Sequence, residues 1–114
     1  MTCRRGEIVL VLFPDSNLRT SKRRPALVVQ ADGPDRELPQ TIVAMITSNM
    51  ARAGHPGRVV VRVDSEGDPS GLLMDSIIMT DNLGTIRHSE IDRVIGSFNN
   101  MKEVDEALRS TLAL

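Results

Sequence analysis

Arg19, Lys22, Arg23 and Arg24 fall within six residues that contain no acid. Cations at this density neutralise phosphates, with an affinity that falls as salt rises. Arg24 differs from its neighbours because it immediately precedes Pro25 and the apolar run Ala26–Val29. Proline biases the residue before it toward an extended backbone. A planar guanidinium on an anchored backbone suits a phosphate held in fixed geometry, and it is equally what an ordinary exposed arginine looks like. Thr47, Ser48 and Asn49 end another apolar run. Three successive hydrogen-bonding side chains either line a polar pocket or satisfy the backbone of their own turn, and residue types alone leave both open. His55, between Gly54 and Pro56, and His88, after Arg87, have the titration range of a proton shuttle and also that of a solvated histidine. Asp75 and Asp81 flank a further apolar run, where either could pair with an arginine.

Several common chemistries lack their residues. There is no Gly-rich phosphate loop ahead of a helix, no His-x-x-x-His pair and no Gly-x-Ser-x-Gly elbow. One cysteine and two histidines argue against a dedicated zinc or iron–sulfur site, so no metal or cofactor is expected. The single cysteine also excludes a disulfide within the chain, and Cys3 lies too close to the N-terminus for a well-held nucleophile. With no Trp, no Tyr and two Phe, an aromatic base-stacking platform is disfavoured.

The elements that must position these residues belong to one small domain spanning residues 1–114. Apolar residues at 40% and charged residues at 25% are the mix of a soluble globular protein. The net charge of −1 hides an asymmetry: residues 1–63 hold ten Lys and Arg against five Asp and Glu, and residues 64–114 hold four against ten. A basic half can hold a polyanion locally on a near-neutral chain, although both sets would also serve as solvated surface. The N-terminal Met1–Arg5 has the basic character of a leader, but the apolar run Ile8–Phe13 is too short for one and Pro14 ends it. No run approaches a membrane span, so the expected location is the cytosol.

The apolar runs read as short strands. Ile8–Phe13 is continuous and β-branched, as in a strand buried on both faces. Arg19–Arg24 has no apolar period and reads as a loop; Ala26–Gln30 and Thr41–Thr47 read as strands. Arg58–Asp64 alternates, with Arg58, Val60 and Arg62 on one face and Val59, Val61 and Val63 on the other. Ser76–Asp81 reads as a strand ended by Asn82-Leu83-Gly84, and Arg93–Phe98 as the last strand, where Gly96 marks a bulge or a close approach. Met101, Val104, Leu108 and Leu112 then recur at helical spacing, with Asn100 as N-cap and Glu103 three residues on. The expected fold is mainly β: a small, partly open antiparallel barrel of SH3-like shape with a C-terminal α-helix.

Four segments, in order, carry a resemblance. Arg5-Gly6-Glu7-Ile8-Val9, Arg24-Pro25-Ala26-Leu27-Val28, Val43–Ser48 ending in Thr47-Ser48, and Gly71-Leu72-Leu73-Met74-Asp75-Ser76 resemble successive motifs of the MazF/PemK family of toxin endoribonucleases, over nearly the full chain. The resemblance implies an SH3-like barrel working as a homodimer. It implies metal-independent cleavage of single-stranded RNA at a short sequence, and neutralisation by a cognate antitoxin whose tail occupies the RNA groove. It places catalysis on Arg24 and Thr47. Arg19, Lys22, Arg23, Ser48 and Asn49 are the expected substrate contacts beside them. Asp81 matches an aspartate that serves in PemK-like members, and His55 is a further candidate for proton transfer. The stretch Leu18–Arg23 is more basic than the family's usual Ser-Glu-Gln-x-Gly, and Asp81 is followed by Asn82 rather than Gln. Both departures bear on the recognised sequence and on proton transfer. A non-enzymatic topoisomerase poison of the CcdB kind, on the same fold, is the alternative; the chain ends Leu112-Ala113-Leu114 without that group's Trp-Gly-Ile tail.

Overall fold

Alternation and β-branching organise the chain into one antiparallel sheet. In the computed structural model, which describes residues 3–14, 21–33, 38–63 and 68–114, the strands are β1 (Glu7–Pro14), β2 (Ser21–Val28), β3 (Gln40–Thr47), β4 (Arg58–Val61), β5 (Ser76–Arg87) and β6 (Ile91–Ser97). The helix α1 (Met101–Leu112) follows. The strand order is β4-β5-β3-β2-β1-β6, with every neighbouring pair antiparallel. The expected mainly β, open architecture with a terminal helix is therefore present.

Both faces of the sheet bury apolar side chains, as the continuous run in β1 requires. Ile8 joins Leu27, Ala44, Ile46, Val59 and Ile78 in one core, which Val104 and Ala107 of α1 cover. Val9 and Val11 point the other way, against Ala26, Val28, Val43, Ile86 and Ile91. Each fully buried Val, Leu or Ile side chain among them contributes about 1.5–3 kcal/mol. The helix is capped as its sequence predicts: the Asn100 side chain accepts from the Glu103 N–H at 3.4 Å and donates to the Glu103 carboxylate at 2.9 Å. Arg5 anchors it further through Asp105 at 2.6 Å.

The open side of the sheet is bridged by the connection between β4 and β5. The Ser97 N–H donates to the Pro69 carbonyl at 2.8 Å. A Cβ on Gly96 would collide with the Pro69 and Ser70 backbone, and one on Gly71 with the Ile95 carbonyl. Gly96 is thus a site of close approach, and Ile95 beside it bulges from the ladder with β1, where Ile8 faces Gly96 and Val9 faces Val94.

Several strand limits differ from the sequence reading: β2 ends at Val28 before the expected Gln30, and β4 at Val61 before the expected Asp64. Ser21–Arg24, expected as loop, belongs to β2, because β1 pairs with it through Phe13–Lys22, Leu12–Arg23 and Val11–Arg24. A ladder with one neighbour needs no apolar period when the side chains stay in water. Asn82-Leu83-Gly84 does not end β5; Thr80, Asp81 and Asn82 form a bulge between the Met79–Met45 and Leu83–Ala44 pairs, and pairing resumes to Arg87. The last strand begins at Ile91 rather than Arg93.

Candidate active site

The ladder between β2 and β3 is short. It runs only from Ala26–Met45 to Val28–Val43. Beyond it β2 stays with β1, whereas Ile46 and Thr47 of β3 stay with β5 opposite Ile78 and Ile77. The sheet splays open there. Had pairing continued in register, Arg24 would have faced Thr47; instead the two residues stand on opposite lips of a groove. The groove has a volume of about 980 Å³; Arg23, Arg24, Arg52 and Arg93 supply its cations, and Thr47, Ser48, Ser76 and Thr85 its hydroxyl side chains. Glu90 is the one acid in its lining. Leu10, Met45, Leu72, Leu73, Met74 and Ile95 provide apolar wall, with Leu73 95% exposed.

The local chemistry sorts the expected residues. Arg24 is exposed, and its side chain has no ion-pair or hydrogen-bond partner among the described residues. Its charge is free for a ligand. Thr47 is half-buried, and its Oγ1 accepts from the Asn49 N–H at 3.1 Å, which leaves the hydroxyl hydrogen free to donate. Ser48 is exposed on the same rim. Arg23 lines the groove but is held by Asp92 at 3.0 Å, so its charge is already partly met. Lys22 is exposed and outside the groove lining. Arg19 lies outside the described residues.

Three residues expected near the substrate take other partners. Asn49 caps the single-turn segment Met50–Arg52, its side chain accepting from the Ala51 N–H at 3.2 Å, and it does not line the groove. Here the turn-closing alternative holds. Asp81 also stands outside the groove lining, bound by the Arg58 guanidinium at 2.9 and 3.3 Å. That hydrogen-bonded guanidinium holds its carboxyl below the ordinary value of 3.8. His55 is exposed, is absent from the lining, and uses Nδ1 to accept from the Gly57 N–H at 3.0 Å. In the neutral ring this leaves the proton on Nε2, so the ring's acceptor nitrogen is already occupied.

Arg52 and Arg93 were not singled out from the sequence. Arg52 stands five residues after Thr47 in a polar stretch, and only the capped turn brings it back to the rim. Arg93 joins the groove because Leu10 of β1 pairs with it on one side and with Pro25 on the other. No local pattern signals a contact made across three strands. Among the described residues no three His, Cys, Asp or Glu side chains converge as a metal site, and no helix is long and apolar enough to cross a membrane.

Comparison with known proteins agrees with this geometry. Endoribonuclease MazF6 of Mycobacterium tuberculosis is 34% identical over 118 residues, covering all of both chains. Endoribonuclease EndoA of Bacillus subtilis is 32% identical over 117 residues, covering 100% of this chain and 97% of its own. The solved Mycobacterium tuberculosis toxin MazF-mt6 superposes with a TM-score of 0.75 at 24% identity, over 95% of this chain and 97% of that one. The MazE-MazF structure from Deinococcus radiodurans gives 0.74 at 20% identity, over 100% and 99%. These two show the same fold. The sequence pattern described as PemK-like, MazF-like toxin of type II toxin-antitoxin system matches residues 4–112. The chain, from its splayed sheet to its capped terminal helix, belongs to that toxin family.

Proposed function

We propose that the chain is a metal-independent endoribonuclease that cuts single-stranded RNA, messenger RNA among its targets, and so inhibits translation and growth until a cognate antitoxin occupies its groove. The observation that carries the reading is the pairing of an unpartnered Arg24 with the Thr47 hydroxyl across the splay between β2 and β3. Relatives of full length and over 30% identity bear the name endoribonuclease, and a relative of the same fold was solved with its cognate antitoxin.

RNA carries its own nucleophile. The 2′-OH attacks the adjacent phosphorus, the bond to the 5′ oxygen of the next nucleotide breaks, and a 2′,3′-cyclic phosphate and a 5′-OH result. The protein must align the attack and stabilise charge on the non-bridging oxygens. Arg24 does the second with a charge-assisted hydrogen bond. Thr47 donates its hydroxyl hydrogen to a phosphate oxygen, and Ser48 extends the polar rim. Guanidinium groups stay protonated at neutral pH, so Arg24 is an electrostatic group and not the base. With Asp81 and His55 outside the groove lining, water in the open groove takes the 2′ proton and returns one to the departing 5′ oxygen.

The test is incubation of the purified chain with a mixed RNA pool in EDTA, followed by sequencing of new 5′ ends and analysis of the 3′ ends. Cleavage at a short shared sequence, leaving 5′-OH and cyclic phosphate, is expected. Cleavage that needs an added divalent ion, or that leaves 5′-phosphate, refutes the mechanism.

A further inference from the structure

The Arg58–Asp81 pair lies outside the groove lining, yet it is joined to the rim by an unbroken set of hydrogen bonds. Arg58 is fixed at the head of β4 by pairing with Met79 of β5. Its Nε and Nη2 donate to the two carboxylate oxygens of Asp81 at 3.3 and 2.9 Å, and its Nη1 donates to the Arg52 carbonyl at 2.9 Å. That carbonyl ends the Met50–Arg52 turn, where no further helical N–H follows to satisfy it. At the other end of the turn Asn49 caps the Ala51 N–H, and the Asn49 N–H is held by Thr47 Oγ1. Asp81 itself sits in the β5 bulge, displaced from the β3–β5 ladder. A bulge that re-aims one side chain onto one arginine, which in turn caps one turn, has the form of a positioning device.

We infer that Asp81 and Arg58 are positioning residues: together they brace the Met50–Arg52 turn, and so set Arg52 and the Thr47 hydroxyl against the RNA, and Asp81 itself touches no substrate. The inference rests on the endoribonuclease reading for its catalytic consequence, while the brace itself is independent of it. The planar fork is essential, because three donors at fixed angles must serve a carboxylate and a carbonyl at once. An ammonium at position 58 could serve one of them well.

Steady-state cleavage and amide hydrogen exchange test this together. Arg58→Ala and Asp81→Ala are each expected to lower kcat/KM about tenfold, the scale of losing one oriented hydrogen-bonding partner. The double variant should fall no further than either single one, within about twofold, because the pair acts as a unit. Asp81→Asn keeps an oxygen for Arg58 and should recover most of what Asp81→Ala loses, with the pH profile of kcat unchanged. Arg58→Lys should resemble Arg58→Ala. In both alanine variants the Arg52 and Ala53 amides, which donate to Asn49 and Met50 carbonyls, should lose exchange protection. Three results would overturn the inference: Asp81→Asn abolishing kcat or removing a limb of the pH profile, unchanged kcat/KM in both alanine variants, or additive losses in the double variant. If the unsubstituted chain cuts no RNA, the endoribonuclease reading fails, and exchange decides the brace: unchanged protection at Arg52 and Ala53 overturns it.

Discussion

Arg24 and Thr47 owe their placement to a ladder that stops. Each stands two positions beyond the Ala26–Met45 pair; among the described residues Arg24 keeps its guanidinium free for a ligand, and Thr47 its hydroxyl hydrogen. Arg24→Ala and Thr47→Ala should each reduce the cleavage rate about 10²–10³-fold, the cost of removing one preorganised donor to a developing anion. Neither should shift the unfolding free energy by more than about 0.5 kcal/mol beyond what an exposed or half-buried polar residue ordinarily costs. Rates measured alongside urea midpoints check both; an Arg24→Ala chain that cuts normally beside a dead His55→Ala chain would reverse the assignment. Asp81 carries a different prediction. Its carboxyl is held below 3.8 by the hydrogen-bonded Arg58 guanidinium. A carboxyl whose folded value lies below its unfolded one contributes stability above the unfolded value and loses it as pH falls through the folded one. The stability advantage of the native chain over Asp81→Asn should therefore be present at neutral pH and vanish well below 3.8, as urea midpoints at the two conditions would show. A constant difference contradicts the ion pair.

Among the elements, the contact of β6 with the β4–β5 connection closes the open side of the sheet. Gly96→Ala would drive a Cβ into the Pro69 and Ser70 backbone. Overpacking of this kind costs about 1–3 kcal/mol, so the urea midpoint should fall, and an unchanged midpoint would mean that the connection is free to move away. The elements that bury apolar runs were legible in the sequence. Ile8–Phe13 and Thr41–Thr47 became strands, as did the first four residues, Arg58–Val61, of the alternating Arg58–Asp64, and the Asn100 cap formed where the helical period begins. What the residues did not announce is set by partners distant in sequence. Ser21–Arg24 is strand only because β1 lies beside it. The bulge at Thr80–Asn82 follows from how β3 and β5 fit together, and the role of Asp81 follows from that bulge. A proline and a strand end drew notice to Arg24 and Thr47, the resemblance singled them out, and both line the groove, whereas Arg52 and Arg93 are brought there by a turn and by a neighbouring strand.

At the scale of the whole molecule, a near-neutral chain gathers four arginines on one groove. Arg23, Arg24, Arg52 and Arg93 line it with a single carboxylate, Glu90; an ion pair with Asp92 engages Arg23, and others engage Arg5, Arg58 and Arg62 away from the groove. Such a surface holds an extended polyanion locally, with an affinity that weakens with salt. Leu73 and Met74, 95% and 58% exposed on the groove wall, leave apolar area that a second copy of the chain or an antitoxin segment would cover. A homodimer at micromolar concentration is expected, and sedimentation showing only a 12.5 kDa species would exclude it. The central claim is that the RNA supplies the nucleophile and the groove supplies the alignment and the charge. It is tested most directly by an RNA bearing one 2′-deoxy sugar on the 5′ side of the scissile phosphate, compared with the all-ribose strand in binding and in cleavage. The groove should bind both strands alike, because their phosphates meet the same arginines, and it should leave the deoxy strand intact. Cleavage of the deoxy strand at the ordinary rate would contradict the account.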